Sequence, residues 1–249
     1  MQHDTFLLIT GGSRGIGAAV ARQAAAAGWH VAINYTRDAT AAEAVAAQVR
    51  ALGRQALTLQ ADVADEAQVQ AMFTRLDAAG RLGGLVNNAG VVDVAQRVDE
   101  MSLARWRRMF DINVFGTMLC ARAAVQRLST RHGGTGGAIV NVSSVAARLG
   151  APGQYVDYAA AKGAVDVFTL GLARELATEG VRVNAVRPGV IVTDIHASGG
   201  QPERAQQMAP QIPMQRPGEA DEVAAAIVWL LSDAASYTTG ALMDVTGGR

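Results

Sequence analysis

Short apolar, β-branched runs alternate along the chain with longer alanine-rich stretches. The short runs predict strands at residues 6–10, 30–35, 55–61, 84–89, 137–144, 181–188 and 241–247. The stretches between them predict helices at about residues 15–27, 39–52, 65–79, 101–129, 157–178 and 219–231. Several of these stretches carry apolar residues three and four positions apart, such as Ile112, Phe115 and Leu119, which is the spacing of one helix face.

This alternation predicts an α/β fold: a doubly wound, Rossmann-like parallel sheet of about seven strands with helices on both faces. The near-continuous apolar strands agree, because strands of a parallel sheet are buried on both sides. No linker-like tract divides the chain, so we expect a single domain over residues 1–249. A long irregular stretch, about residues 189–217, holds four of the six prolines, and we expect it to form a substrate lid.

The composition limits the partners that the protein can have. Lys plus Arg and Asp plus Glu are equal at 22 each, so the formal net charge is zero. We therefore expect no nucleic-acid or membrane partner, since either would need a basic or a long apolar surface. The single cysteine, Cys120, cannot form an internal disulfide, and the first residues lack a signal-peptide pattern. These features predict a cytoplasmic protein.

A glycine-rich turn, in the sequence LLITGGSRGIG, follows the first predicted strand. Its spacing, T-G-x-x-x-G-x-G, is related to the dinucleotide fingerprint G-x-G-x-x-G but differs from it. Backbone N–H groups and the positive end of the next helix attract a pyrophosphate at such a turn. A nucleotide is the favoured ligand, although methyltransferases and plain turns also carry glycine clusters here.

Two shorter motifs stand at the carboxyl ends of later strands, where ligands of open parallel sheets bind. In ADV (61–63), Asp62 can reach an adenine amine or simply begin a turn. NNAG (87–90) is either a turn, which Asn and Gly both favour, or a close passage of the chain beside a ribose.

The stretch YVDYAAAKGA (155–164) contains two tyrosines, and only Tyr158 has a lysine, Lys162, four residues later. On a helix the two side chains share one face. A fixed ammonium beside a phenol favours the phenolate and lowers the tyrosine pKa, which makes the phenol usable as an acid or base. The same spacing also occurs on ordinary amphipathic surface helices.

Two polar motifs give this pair a context. NVSS (141–144) ends the fifth predicted strand, and a serine hydroxyl there can hold a substrate oxygen beside the phenol. Asn113 lies inside the long fourth helix, where asparagine is a poor helix former. We expect it to bend the helix or to hold a water through its amide.

In order and approximate spacing, these motifs resemble those of the short-chain dehydrogenase/reductases. The matching elements are TGGSRGIG, ADV, NNAG, Asn113, Ser144, Tyr158-Ala-Ala-Ala-Lys162 and RPGVIVT (187–193). The resemblance covers essentially the whole chain and is greatest to the subgroup of glucose 1-dehydrogenases and 3-oxoacyl-carrier-protein reductases. It implies an NAD(P)-dependent oxidoreductase that interconverts a carbonyl compound and an alcohol by hydride transfer.

The resemblance also implies catalytic roles for four residues. Tyr158 would be the general acid in reduction and the general base in oxidation, and Lys162 would hold the nicotinamide ribose. Ser144 would bind the substrate carbonyl oxygen, with Ser143 as its competitor, and Asn113 would anchor a relay water. Tyr155 lacks the following lysine and is better placed to line the substrate pocket.

The cofactor contacts implied by the resemblance lie at the strand ends and in the glycine turn. Asn87 would also lie along the cofactor, and Val190 would be an alternative to Ile191 at the carboxamide. The predicted set is Gly11, Ser13, Arg14, Gly15, Ile16, Gly17, Asn34, Tyr35, Arg37, Asp62, Val63, Asn88, Ala89, Gly90, Tyr158, Lys162, Pro188, Gly189, Ile191 and Thr193.

The residues after the second strand favour NADP(H) over NAD(H). An acid at that strand end would bind the ribose diol and repel a 2′-phosphate, but Asn34 and Tyr35 occupy the region. Arg14 and Arg37 suit bidentate recognition of a phosphate. Asp38 is an acid that argues against NADP(H), although it stands in the next turn. The alternative for Arg14 and Arg37 is that both are merely solvated.

The remaining residues imply no metal. The histidines at 3, 30, 132 and 196 lack metal-ligand spacing, and His196 in the lid either touches substrate or is solvated. The resemblance implies a homotetramer, with a homodimer as the alternative, that would bury apolar side chains of the 101–129 helix. The competing function is a nucleotide-sensing protein of the same fold without turnover. The sequence leaves the substrate open.

Overall fold

The structure is a computed structural model, and it describes residues 5–193 and 199–249. Its strands are β1 (Thr5–Ile9), β2 (His30–Tyr35), β3 (Ala56–Gln60), β4 (Arg81–Asn87), β5 (Gly137–Val142), β6 (Val181–Pro188) and β7 (Leu242–Val245). These strands form one sheet in the order β3-β2-β1-β4-β5-β6-β7, and every neighbouring pair is parallel. The predicted parallel sheet is thus confirmed.

Helices cover both faces of this sheet. They are α1 (Gly15–Ala26), α2 (Ala39–Ala51), α3 (Glu66–Asp77), α4 (Leu103–Phe110), α5 (Gly116–Leu128), α6 (Ala146–Leu149), α7 (Val156–Leu176), α8 (Arg204–Met208) and α9 (Ala220–Leu231). Apolar residues of α1, α2 and α9 form a core on one face of the sheet. Those of α3, α5 and α7 form a second core on the other face. The Rossmann-like, doubly wound architecture follows from these two layers.

The sheet order reverses between β1 and β4, and this reversal locates the site. From β1 the chain moves outward to β2 and β3, whereas β4 begins the run toward β7 on the other side. In open α/β sheets, ligands bind outside the carboxyl ends of the strands at such a switch point. The glycine turn after β1 and the NNAG segment after β4 therefore meet at this crevice.

Several element bounds differ from the sequence prediction. Strand β4 begins at Arg81 rather than at residue 84, so two adjacent glycines lie inside the sheet. At one of them, Gly83, a Cβ atom would lie 2.4 Å from Thr5 Oγ1 and 2.9 Å from the Trp29 ring, so crowding requires the glycine. The irregular stretch predicted at 189–217 contains α8, and α6 was not predicted.

The predicted helix at 101–129 is interrupted. Its two halves, α4 and α5, are joined by a π-helical turn, Asp111–Phe115, with Asn113 at the centre. Such turns widen the helix by one residue and are frequent at functional sites. The expectation that Asn113 bends this helix or holds a water stays a prediction, and the Asn113 carbonyl oxygen accepts a hydrogen bond from Thr117 Oγ1 at 3.0 Å.

Cys120 lies inside α5 and is fully buried in the second core. Burial raises the pKa of its thiol to about 12, so the sulfur stays protonated at neutral pH. Within the described ranges, the helices are all too short or too polar to span a bilayer. The cytoplasmic location stays a prediction.

Candidate active site

The glycine turn after β1 has a conformation that side chains would block. Gly11 has a φ of +60°, in the left-handed region. At Gly17, a Cβ atom would lie 2.5 Å from the Gly11 carbonyl oxygen and 2.9 Å from Gly12 Cα. The turn and the first turn of α1 are thus folded tightly onto each other, as the spacing of the glycines predicts.

Asn88 and Thr10 fasten this turn to the end of β4. The Asn88 side-chain amide donates to the carbonyl oxygens of Thr10 and Gly11, both at 2.9 Å. In return, Thr10 Oγ1 accepts hydrogen bonds from the backbone N–H groups of Asn88 and Ala89, both at 3.0 Å. The two strand ends therefore form one rigid unit.

The amino end of α1 suits a pyrophosphate. Arg14 is the N-cap residue, and among the described residues no side chain caps the helix. The first turn of α1 also carries no acidic residue. The unpaired N–H groups and the helix dipole there favour an anion. The residues present thus fit the phosphates of a dinucleotide.

A cavity of about 540 Å³ adjoins this turn at the carboxyl ends of the strands. It is bounded by the ends of β4, β5 and β6, by the first turns of α7 and by α8. The predicted site residues that line it are Ile16, Asn88, Gly90, Ser143, Ser144, Tyr155, Tyr158, Lys162, Pro188, Gly189, Ile191 and Thr193. The sequence motifs therefore converge on one pocket.

Tyr158 faces the cavity, with its side chain partly buried. Desolvation in this enclosed position raises the pKa of its phenol to about 12, and a hydrogen bond with the Ser144 side chain lowers it by less. The expected lowering of the Tyr158 pKa by Lys162 is therefore wrong for the protein chain by itself. Desolvation is the largest cause of the raised pKa, and Lys162 Nζ lies 5.7 Å from the centre of the Tyr158 ring.

Lys162 is buried, with 4% of its surface exposed. Its Nζ donates to the Val142 carbonyl oxygen at 2.7 Å. Burial lowers the pKa of Lys162 to about 8, and the negative charge of Asp166 raises it by less. Lys162 is consequently charged at neutral pH, in a position where charge is costly.

The two serines after β5 have different partners. Ser143 Oγ donates to the Lys162 carbonyl oxygen at 3.2 Å, which ties β5 to α7. Ser144 Oγ accepts a hydrogen bond from the Ala146 N–H at 3.1 Å, and Ser144 lines the cavity together with Tyr158. Only Ser144 thus presents its hydroxyl beside the phenol.

Asn113 lies behind Gly90 and near Lys162. Its amide group donates to the carbonyl oxygens of Val91, at 3.1 Å, and Met109, at 2.9 Å. Its Oδ1 accepts from the Val91 N–H at 3.2 Å. A Cβ atom on Gly90 would lie 2.8 Å from this Oδ1 and 3.5 Å from Lys162 Nζ. The amide thus holds the main chain after NNAG against the π-helical turn.

Comparisons with known proteins agree with this geometry. Residues 11–249 match the family model described as enoyl-(acyl carrier protein) reductase. A solved short-chain dehydrogenase from Burkholderia cenocepacia J2315, in complex with NADP, is 36% identical with a TM-score of 0.89, over 98% of this chain and 97% of that one. The chain belongs to the short-chain dehydrogenase/reductase family.

Curated relatives span nearly the whole length of this short-chain dehydrogenase/reductase. The uncharacterized oxidoreductase YgfF of Escherichia coli K12 is 54% identical over 243 residues, which are 97% of this chain and 98% of that protein. A 3-oxoacyl-(acyl-carrier-protein) reductase of Synechocystis is 42% identical, over 97% of this chain and 95% of that protein. This family membership makes the protein an oxidoreductase.

Two asparagines expected along the cofactor are core residues. Asn34 is 1% exposed, and its amide accepts from the Gly11 N–H at 3.1 Å and donates to the carbonyl oxygens of Leu59 and Ala61. Asn87 is 3% exposed and donates to Asn141 Oδ1 at 2.9 Å. Both side chains are held within the fold, and a place for them along the cofactor stays a prediction.

The acids near β2 and β3 take part in turns. Asp62 Oδ1 accepts from the Ala64 N–H at 3.0 Å, which is the turn alternative for the ADV motif. Val63 is buried and lies against Gly116, where a Cβ atom would approach it to 2.7 Å. Asp38 caps α2 by accepting from the Ala41 N–H at 2.8 Å, which is the position in the next turn that the sequence indicated.

Other predicted cofactor residues lie around the turn. Arg14 and Arg37 are exposed, whereas Ser13, Tyr35 and Gly15 are partly buried. A Cβ atom on Gly15 would lie 3.4 Å from Thr193 Cγ2, so the glycine turn and the start of the lid meet. His3 and His196 lie outside the described residues.

A buried ion pair beside Tyr158 has no local signature in the sequence. Arg105 Nε donates to Asp157 Oδ2 at 2.7 Å, and Arg105 also donates to the Val94 carbonyl oxygen and to Gln96 Oε1. Asp157 Oδ1 accepts from the Tyr158 N–H at 2.9 Å. This pair attaches the loop after Gly90 to the start of α7.

The lowered pKa of Lys162 predicts a pH-dependent stability. Because its folded pKa, about 8, is below the unfolded value of 10.5, the unfolded chain binds more protons between these values, and stability rises with pH there. We expect Lys162→Met to be more stable than the wild type by about 3 kcal/mol at pH 7 and by progressively less toward pH 10. Urea unfolding at several pH values measures this difference; parallel pH curves for the two proteins would contradict it.

Proposed function

We propose that the protein is an NADP(H)-dependent oxidoreductase that interconverts a ketone or aldehyde and the corresponding alcohol, with Tyr158 as general acid and base. The observation that carries the proposal is the convergence of Tyr158, Ser144 and the buried Lys162 amine on one cavity. A phenol and a serine hydroxyl side by side can both bind one substrate oxygen.

A nicotinamide dinucleotide, when bound, supplies a hydride to the carbonyl carbon or accepts one from the alcohol carbon. In the reductive direction Tyr158 gives its proton to the substrate oxygen, so a carbonyl gains one hydride and one proton and becomes an alcohol. Ser144 donates a hydrogen bond to the same oxygen as negative charge develops on it. A phenol with its pKa at about 12 is fully protonated at neutral pH and ready to act as the acid.

Lys162 would bind the nicotinamide ribose hydroxyls with the donors that its bond to Val142 leaves free, since an ammonium carries three. Its positive charge also stabilises the Tyr158 phenolate that remains after reduction. Gly90, behind which Asn113 lies, would allow the ribose to approach closely. Proton return to Tyr158 would run along this side of the cavity, near Asn113.

The second candidate is a nucleotide-sensing protein of the same fold without turnover. Such a protein has no need for a phenol and an amine in one cavity. Here Lys162 carries the cost of a charge with 4% exposure, and its amine is directed toward the cavity by the Val142 carbonyl. That cost supports an active enzyme.

A pair of tyrosine variants tests the mechanism. We expect Tyr158→Phe to lower kcat for NADPH-dependent reduction of diketones and quinones by at least about 100-fold, because the proton donor is lost. The dissociation constant for NADPH should stay within about threefold, since that change is under 1 kcal/mol. NADPH absorbance and fluorescence titration measure the two quantities.

Tyr237→Phe is the matched control, because Tyr237 is fully exposed and does not line the cavity. Its kcat should stay near that of the wild type. Undiminished turnover by Tyr158→Phe would show that the proton comes from another group.

The preference for NADP(H) is supported by the residues at the end of β2. Arg14 and Arg37 are exposed there, while the Asn34 amide is used within the fold and Asp38 caps α2. No acid of the described residues is thus free at the β2 end to repel a 2′-phosphate. The Burkholderia relative, which shares 36% of its sequence with this chain, holds NADP.

We expect Arg37→Ala to raise KM for NADPH by about tenfold or more, because a charge-assisted hydrogen bond to the 2′-phosphate is removed. KM for NADH, which lacks this phosphate, should change little. Arg75→Ala, an exposed arginine on α3, is the control. Steady-state kinetics with both cofactors give the ratio, and an equal rise for the two would argue against the phosphate contact.

We propose a homotetramer as the working form. Phe115 is 52% exposed and Val167 is 70% exposed, which is unusual for apolar side chains on neighbouring helices. On α7, Gly163, Val167 and Gly171 stand four residues apart on one face, and no described atom lies within 4 Å of a Cβ placed at either glycine. Such a smooth apolar face suits close contact with the same face of a second copy.

Sedimentation equilibrium tests this assembly. The wild type should have four times the mass of one chain, and Val167→Glu should dissociate it, because a charge would be buried without a partner. Val98→Glu, at an exposed valine away from α7, should keep the assembly. A monomeric wild type would refute the proposal.

A further inference from the structure

The substrate side of the cavity contains an arginine whose partners are all neutral. Arg204, the first residue of α8, donates from Nη1 to Gln201 Oε1 at 2.7 Å and from Nη2 to Gln154 Oε1 at 2.8 Å. Its guanidinium carbon lies 5.2 Å from the centre of the Tyr155 ring. The guanidinium is thus held by two amides and one aromatic ring, and its charge is not neutralised by any of them.

This environment differs from that of most paired arginines in the protein. Elsewhere the guanidinium groups contact carboxylates, as in Arg22–Asp221, Arg50–Glu43, Arg97–Asp99, Arg105–Asp157, Arg108–Asp93, Arg122–Glu66, Arg127–Asp77, Arg148–Asp244, Arg187–Asp166 and Arg216–Glu222. Among the described residues, Arg204 forms no such pair. The fold therefore holds the positive charge of Arg204 at the cavity wall without a described carboxylate partner.

The whole cavity lining has the same sign. Lys162, Arg204 and Arg249 line it, and no Asp or Glu does so among the described residues. Lys162 has a place in the proposed catalysis and the glycine turn accounts for the cofactor phosphates, but neither explains Arg204. A cavity with cations and no acids concentrates anionic ligands.

The Arg204 guanidinium also has N–H donors available for a ligand, and its orientation is fixed. A guanidinium has five N–H donors, and the bonds to Gln201 and Gln154 use two of them. The remaining donors form part of a planar fork, which matches a carboxylate. Because the surrounding side chains already fix the group, little conformational entropy is lost when an anion binds.

The position of Arg204 sets the size of the ligand. Tyr155, which the guanidinium contacts, precedes Tyr158 by three residues at the start of α7. Tyr155 and Tyr158 both line the same cavity of about 540 Å³. An anionic group bound by Arg204 and a carbonyl oxygen held by Tyr158 and Ser144 would therefore belong to one small ligand.

We propose that Arg204 binds a carboxylate of the substrate, and that the substrate is therefore a small oxo acid or the matching hydroxy acid. The inference rests on the proposed carbonyl–alcohol chemistry and adds the substrate class and a specificity-determining residue. Gln154 and Tyr155 are positioning residues that orient the guanidinium.

Matched substrates test this assignment. Short 2-, 3- and 4-oxo acids and their methyl esters are assayed with NADPH and the purified full chain. We expect the wild type to prefer at least one acid over its ester, and Arg204→Met to lower kcat/KM for that acid by about 10- to 100-fold, because a charge-assisted contact is lost. The ester should change by less than about threefold.

Two further variants separate recognition from lid structure. Arg216→Met, which removes the lid arginine paired with Glu222, should leave the acid preference unchanged. Arg204→Lys keeps the charge without the planar fork and should retain part of the preference. Equal losses for acid and ester in Arg204→Met would mean that the residue only supports the lid, and would overturn the proposal.

Calorimetry provides a readout that is independent of turnover. The hydroxy acid that corresponds to the preferred oxo acid should bind the wild type loaded with NADP⁺. Its affinity for Arg204→Met loaded with NADP⁺ should be lower. Turnover of neutral ketones without preference for any acid would refute the carboxylate assignment and leave the proposed function intact. If no carbonyl compound is reduced, the proposed function fails. If, in addition, the hydroxy acid binds the wild type and Arg204→Met equally well, the carboxylate assignment fails too.

Discussion

The close contact between the glycine turn and the end of β4 is the constraint on which the site depends. The turn can approach α1 only because Gly17 has no side chain, and it stays there because Asn88 and Thr10 exchange hydrogen bonds across the gap. Asn34 supports the same turn from the opposite side. These three polar side chains hold the strand ends rigidly together. The cavity lies at those strand ends.

The second determinant is the cost of placing polar groups in an enclosed cavity. Burial raises the pKa of the Tyr158 phenol and lowers the pKa of the Lys162 amine. In both cases the neutral form is favoured. Nearby partners reduce this effect, through Ser144 for the phenol and Asp166 for the amine. The resulting site has a protonated phenol and an amine that is still charged at neutral pH in one cavity.

Much of the fold follows from the sequence, because buried parallel strands leave an unmistakable apolar pattern. The strands at 30–35 and 181–188 have the predicted bounds. The sequence did not predict the features that depend on contacts between distant segments of the chain. Gly83 resembles a turn residue but is required by crowding within β4, and Asn34 resembles a cofactor ligand but points into the protein. The raised Tyr158 pKa depends on enclosure by distant segments, and Arg204 lies in a stretch without periodicity. None of these features has a local signature.

The deeply buried sulfur of Cys120 has a practical consequence for studying how the lid moves. A thiol whose pKa is raised to about 12 and which solvent cannot reach resists alkylation by maleimides. The chain contains no other cysteine. A single cysteine introduced on the exposed face of α8 would consequently accept a fluorophore alone, so the native protein is already a background for single-site labelling.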